Sequence, residues 1–340
     1  MVPRRPISGY TAPMAVHVIE HTSRALQGNP LGDPHVRKLH LVVPDALPDH
    51  PIPCVWWLAG YAGVGRAMLG DDPWQEGLEE RVARLMAEGR IGPMIVALPD
   101  AFTRLGGCQY LSSPAVGDYE QYFLHELRAE VEARFSISRH AIAGKSSGGF
   151  GAIVHAMRHP ELFDAVVCHS GDMGFEMSLF PDIPQLMNSV RDHGSVEALV
   201  NAHGKTIKKK DGRWFGPLSM LALASVYSPD PEAPMGIGLP FDLAQGTLRR
   251  DVLERWLAFD PVRTIEDPRH QAALKGMRLV FVDCGRRDEH ALHWGALTFH
   301  RRLEAAGIPH VYQEFDGGHS GVNHRLDVSL PFLYRALTDA

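Results

Sequence analysis

Ile142-Ala143-Gly144-Lys145-Ser146-Ser147-Gly148-Gly149 decides how this chain is read: an apolar run passes straight into Gly-x-Ser-x-Gly, and a helix-like segment follows. A sharp turn from strand to helix needs small residues two places either side of its central serine, because a Cβ at Gly144 or Gly148 would collide across the bend. Such a turn is strained. It lifts the Ser146 hydroxyl to the end of a sheet, and the N–H groups after it, at a helix N-terminus, point toward an incoming oxyanion. Ser146 is therefore the candidate nucleophile.

Gly144-Lys145-Ser146 also ends like a phosphate-binding loop. That loop needs a Gly where Arg139 stands, and His140 to Ala143 read as strand, so nucleotide binding is set aside. A Gly-Ser turn without chemistry remains the plain alternative.

Outward from this turn, short runs rich in Val and Ile alternate with helical patterns, the βαβ rhythm of a mostly parallel sheet flanked by helices. Eight strands are predicted, near 15–20, 36–43, 53–59, 93–98, 139–143, 164–169, 278–284 and 309–315. The first two lack a long intervening helix and are expected to pair antiparallel at one edge. Trp74, Leu78, Val82, Leu85 and Met86 repeat at helical spacing toward a cap at Gly89. A second helix is expected over 118–135, and the one after Ser146 stops by His159, ahead of Pro160. Between about 174 and 267 the rhythm breaks: helical pieces near 183–193, 195–203, 217–226 and 247–257 surround a Pro/Gly-rich passage at 228–239, with no strong β run. This stretch is read as a helical insertion within a single domain spanning 1–340, either a lid or pocket wall or plain structural padding.

With 340 residues, 45% of them hydrophobic, the chain can bury one large core. A net charge of -6 from interspersed acids and bases leaves no basic face for nucleic acid and no polybasic patch for a membrane. The one basic run, Lys208-Lys209-Lys210 beside Asp211-Gly212, reads as a solvated turn. No stretch approaches roughly 18 unbroken apolar residues. Met1-Val2-Pro3-Arg4-Arg5-Pro6 is positive, but no apolar signal core follows it. Cys54, Cys108, Cys168 and Cys284 are widely spaced and read as buried hydrophobes of a reduced, cytoplasmic protein, not as a disulfide frame or a metal site.

A serine hydroxyl near neutral pH needs a base, and the base needs a carboxylate to fix its tautomer. On sheets that carry this elbow the order along the chain is Ser, acid, His. Asp288 follows the strand Leu279 to Gly285 and lies in the loop past its C-terminal end, where open α/β sheets place catalytic groups. Asp283, inside the apolar run, is the competitor; Glu289 is a third choice. His319, in Asp316-Gly317-Gly318-His319-Ser320-Gly321 after the last strand, is the candidate base among 19 histidines, ahead of a C-terminal helix from about Asn323. Glu289-His290-Ala291-Leu292-His293 lacks the spacing of a zinc helix and reads as helix-face histidines; no metal is expected. His169 is either a pocket residue or, by preference, a structural hydrogen-bonding one. Trp56-Trp57-Leu58-Ala59-Gly60-Tyr61-Ala62-Gly63 carries an early strand into its loop, so the N–H of Tyr61 joins that of Ser147 as an oxyanion donor, unless these glycines merely turn the chain.

Together these residues resemble the esterase D and enterochelin esterase-like branch of the α/β-hydrolases. The likeness runs through His21-Thr22-Ser23, Leu31-Gly32-Asp33-Pro34, Leu58 to Tyr61, Gly107-Cys108-Gln109-Tyr110, Gly144 to Gly149, His159-Pro160-Glu161-Leu162-Phe163, Cys284 to Asp288 and Gly318-His319. It implies an α/β-hydrolase fold with a triad of Ser146, Asp288 and His319, oxyanion donors Tyr61 and Ser147, and no cofactor. The branch includes carboxylesterases, feruloyl and acetylxylan esterases, S-formylglutathione hydrolases, siderophore trilactone esterases and mycolyltransferases. Ala59-Gly60 stands where many relatives have His-Gly, and Lys145 precedes the serine; neither removes a backbone donor or a triad side chain. The expected function is a serine hydrolase that cleaves small-molecule carboxylic esters through an acyl-enzyme. An acyltransferase with the same triad and a non-catalytic binding protein on a hydrolase frame are the alternatives, and self-association is left open.

Overall fold

Every residue of Ile52-Pro53-Cys54-Val55-Trp56-Trp57-Leu58 is buried, which requires a strand covered on both faces. The computed structural model describes residues 14–70, 74–207 and 211–339. The six N-terminal residues and the three consecutive lysines singled out in the sequence lie outside these described residues.

Eight strands form one sheet: β1 (Met14–Thr22), β2 (Val36–Pro44), β3 (Ile52–Leu58), β4 (Ile95–Leu98), β5 (Ile137–Lys145), β6 (Ala165–His169) and, after a small hairpin of β7 (Phe241–Asp242) and β8 (Thr247–Leu248), β9 (Leu279–Gly285) and β10 (Val311–Phe315). Their order is β1-β2-β4-β3-β5-β6-β9-β10. β2 is antiparallel to β1 and to β4; every other pairing in the sheet is parallel. All eight predicted runs are strands of this sheet, and the first two pair antiparallel at its edge as expected.

The period of two sorts the core into layers. Cys54, Trp56, Ile142, Val166, Cys168, Val280 and Val282 face one way. There the helices Ser147–Arg158 and Leu292–Ala305 and the helical run from Gln121 to Glu132 cover them. Val55, Trp57, Ala141, Ala143, Val167 and Phe281 face the other way, against the helices Leu78–Ala87 and Leu326–Thr338. Because β3, β5, β6, β9 and β10 run parallel, their C-terminal ends share one rim, where open α/β sheets place their sites.

Between β6 and β9 the chain is mostly helical, with Ile183–His193, Val196–Lys205, Gly212–Tyr227, Arg250–Leu257, Pro261–Thr264 and Pro268–Lys275. The hairpin of β7 and β8 interrupts it. Each of its strands has two residues, too few to show a period, and its turn is set by Asp242, whose side chain accepts from Ala244 and Gln245 N–H, with Gly246 at φ 65. Trp74 does not belong to the helix its spacing suggested; that helix begins at Leu78, and Trp74 is 92% exposed. The helix expected over 118–135 is wound as a wider π helix over Gln121–Leu127 before continuing as Arg128–Glu132. All four cysteines are buried and unpaired. Among the described residues, no helix is long and apolar enough to cross a membrane.

Candidate active site

Ser146 sits between β5 and the helix Ser147–Arg158 with φ 57 and ψ −126, a conformation that costs a non-glycine residue roughly 1–3 kcal/mol. Close packing enforces it. A Cβ on Gly148 would lie 2.0 Å from the Leu58 carbonyl oxygen, and one on Gly144 would lie 2.3 Å from that of Gly148, so this bend tolerates only glycine at both places. The Ser146 N–H donates to the His169 carbonyl across to β6 (2.9 Å), which fixes the turn to the sheet. Ser147 opens the helix, so its own N–H has no acceptor within it. Gly60 packs directly on the elbow: a Cβ there would be 3.2 Å from Ser146 Cβ and 3.3 Å from the Lys145 carbonyl oxygen. Gly63 N–H donates to the Gly60 carbonyl (2.9 Å), closing a tight turn around Tyr61 and Ala62 beside the serine.

His319, from the loop after β10, reaches the same point. Its Nε2 is 3.0 Å from Ser146 Oγ, and its Nδ1 is 2.8 Å from Asp288 Oδ2. Asp288 lies in the loop after β9 with its side chain fully buried, and its other oxygen accepts the His290 N–H (2.9 Å). Burial pushes this carboxyl up, but the hydrogen bond and charge of His319 and the His290 N–H outweigh it, so Asp288 is held below its ordinary value and stays a carboxylate. A carboxylate can only accept, so Nδ1 carries the proton and Nε2 is free to accept from the Ser146 hydroxyl. Three residues distant in sequence thus meet at one rim, in the order their strands dictate.

Glu289 is not the partner of the His319 ring; its Oε2 accepts the His319 backbone N–H at 2.7 Å and pins the loop. His290 corrects the helix-face reading: it precedes the helix, which starts at Leu292, and packs edge-on against His319 at 4.8 Å between ring centroids. Asp283 points to the opposite face of the sheet, as its place between Val282 and Cys284 dictates. There its Oδ1 lies 2.6 Å from His169 Nδ1, and its Oδ2 accepts from Arg325 Nε at 2.8 Å. His169 Nε2 in turn lies 2.9 Å from Ser329 Oγ. His169 is therefore structural, the reading preferred for it from sequence.

Gln109 is the residue whose role the sequence did not single out. Its side-chain oxygen accepts from Ser147 Oγ, and its Nε2 donates to Asp172 Oδ2 (2.9 Å) and Tyr227 Oη (3.0 Å). Gln109 and Tyr110 both have positive φ, 54 and 60, so the loop bends to deliver them. Burial raises the Asp172 carboxyl above its ordinary value against the Gln109 hydrogen bond and the histidines nearby. Tyr61, Gln109, Ser147 and Asp172, with Ser219, Ala222 and Leu223 from the helix Gly212–Tyr227, line a cavity of about 20 Å³, the size of a single water site.

This topology, with a strained serine at the rim of a mostly parallel eight-stranded sheet, defines the α/β-hydrolase fold. The structure is similar over 96% of this chain and 100% of the other to a ferulic acid esterase (TM-score 0.59, 21% identity). It is similar over 97% and 99% to an S-formylglutathione hydrolase from Agrobacterium tumefaciens (TM-score 0.58, 17% identity). The model of the Esterase family, described as "Putative esterase", matches residues 35–329, and the chain belongs to that family. Among curated proteins, an esterase of Mycobacterium tuberculosis is 25% identical over 237 residues, which are 67% of this chain and 42% of that protein. The chain thus spans less than half the length of this relative.

Proposed function

We propose that the chain is a serine hydrolase of carboxylic esters working through Ser146, His319 and Asp288. The observation that carries this reading is the single imidazole bridging Ser146 Oγ at 3.0 Å and Asp288 at 2.8 Å. As Ser146 Oγ attacks the ester carbonyl, its proton passes to His319 Nε2, and Asp288 stabilises the imidazolium. The carbonyl oxygen takes the developing negative charge, and the backbone N–H groups of Tyr61 and Ser147 receive it. His319 returns the proton to the departing alcohol, leaving the acyl group on Ser146. Water, deprotonated by His319, then attacks the acyl-enzyme and frees the acid.

Steady-state hydrolysis of short-chain aryl esters tests the proposal. Ser146→Ala should lower kcat by roughly 10⁶-fold with the fold intact. A variant that keeps most of the activity means another nucleophile.

A further inference from the structure

The helix that opens at Ser147 carries His155 in its last turn and has His159 as its C-cap, four positions on. His155 is fully buried, and its Nε2 lies 2.9 Å from the Tyr110 carbonyl oxygen. A carbonyl only accepts, so the proton sits on Nε2 and Nδ1 keeps its lone pair. That Nδ1 is buried without a hydrogen-bond partner. A ring nitrogen of His155, one of His159 and a carboxylate oxygen of Glu120 lie within 4.8 Å of one another, and on His155 only Nδ1 has a lone pair to offer.

We propose that His155 Nδ1, His159 and Glu120 bind a divalent transition-metal ion of the zinc type, outside the catalytic centre. Two imidazoles and one carboxylate, with a fourth position for water, match the preference of Zn²⁺, whereas Ca²⁺ and Mg²⁺ require more oxygen ligands. The bond from His155 Nε2 to a backbone carbonyl is the support that orients metal-ligating imidazoles. The side chains of Glu120 and His159 are 24% and 30% exposed, which leaves a path for the ion and room for the ligands to draw together around it. Two groups compete for Glu120: the Ser112 N–H donates to Oε2 at 3.0 Å, and Arg158 Nη1 lies 3.8 Å from Oε1. The first leaves Oε1 for the ion, and the second is a loose contact from a guanidinium that also rests over the Phe259 ring.

The ion would tie the helix carrying the elbow to the Ser112 turn and to Tyr110, the neighbour of Gln109, about 12 Å along the helix axis from Ser147. The test uses the full chain stripped with a chelator, titrated with Zn²⁺ by calorimetry, and assayed for zinc retained after gel filtration. One zinc per chain is expected, with a raised Tm, a visible band of tetrahedral type when Co²⁺ replaces it, and no displacement by excess Ca²⁺. His159→Ala and Glu120→Gln should each weaken binding by about tenfold or more while the metal-free Tm and aryl-ester hydrolysis stay near wild type. No retained zinc, zinc affinity unchanged in both variants, or displacement by Ca²⁺ would overturn the site.

Discussion

At the scale of single residues, two buried aspartates five positions apart do different work because a β strand alternates its faces. Asp283 faces the C-terminal helix and neutralises Arg325, whose side chain is 11% exposed; Asp288 clears the strand end and meets His319. Asp288→Asn is expected to lower kcat by about 10⁴-fold with the protein still folded, since it reverses the imidazole tautomer. Asp283→Asn instead removes the buried charge between Arg325 and His169 and should cost about 3–5 kcal/mol in denaturant unfolding, with kcat of the folded fraction near wild type. Loss of activity without loss of stability in Asp283→Asn would exchange the two roles. The choice between them was legible in the sequence because parity and strand end are local properties. The hydrogen bonds of Gln109 were not: they join a loop, a strand end and an insertion helix, and nothing in Gly107-Cys108-Gln109-Tyr110 encodes where Asp172 and Tyr227 lie.

At the scale of elements, the eight strands could be read because each is a Val/Ile-rich run between turn residues, and the elbow because glycine spacing is itself a steric statement. The two-residue strands of the hairpin and the π-helical winding over Gln121–Leu127 escaped, since neither leaves a period in the sequence. The helix Gly212–Tyr227 carries Pro217 and an apolar surface that fits a buried wall as well as a lid. Ser219, Ala222 and Leu223 of this helix stand beside Tyr61 and Ser147, the two oxyanion donors of the proposed reaction, so the helix is expected to limit acyl length. Wild-type kcat/KM should fall by about 100-fold from acetyl to octanoyl aryl esters, and Leu223→Ala should recover about tenfold of that loss. Equal rates across chain lengths in the wild type would remove the insertion from the pocket wall.

At the scale of the whole molecule, sheet stability is linked to pH through His140 on β5. Trp56 Nε1–H donates to its Nδ1 at 3.0 Å, which requires that nitrogen to be unprotonated. Burial first, with Arg128 adding to it, lowers His140 from 6.5 to about 4. A histidine depressed in the folded state stabilises fully above its unfolded value, and that stability is lost as pH falls toward the folded one. Tm should therefore drop between pH 6.5 and about 4, and His140→Gln should flatten part of that slope; an identical slope in the variant would assign the loss to other groups. Over the same whole chain one hydroxyl, that of Ser146, is expected to react. Fluorophosphonate treatment followed by peptide mapping tests it most directly: a single adduct on the peptide holding Ser146, absent from Ser146→Ala, is the predicted result. An adduct on another residue, or labelling that persists in Ser146→Ala, would contradict it.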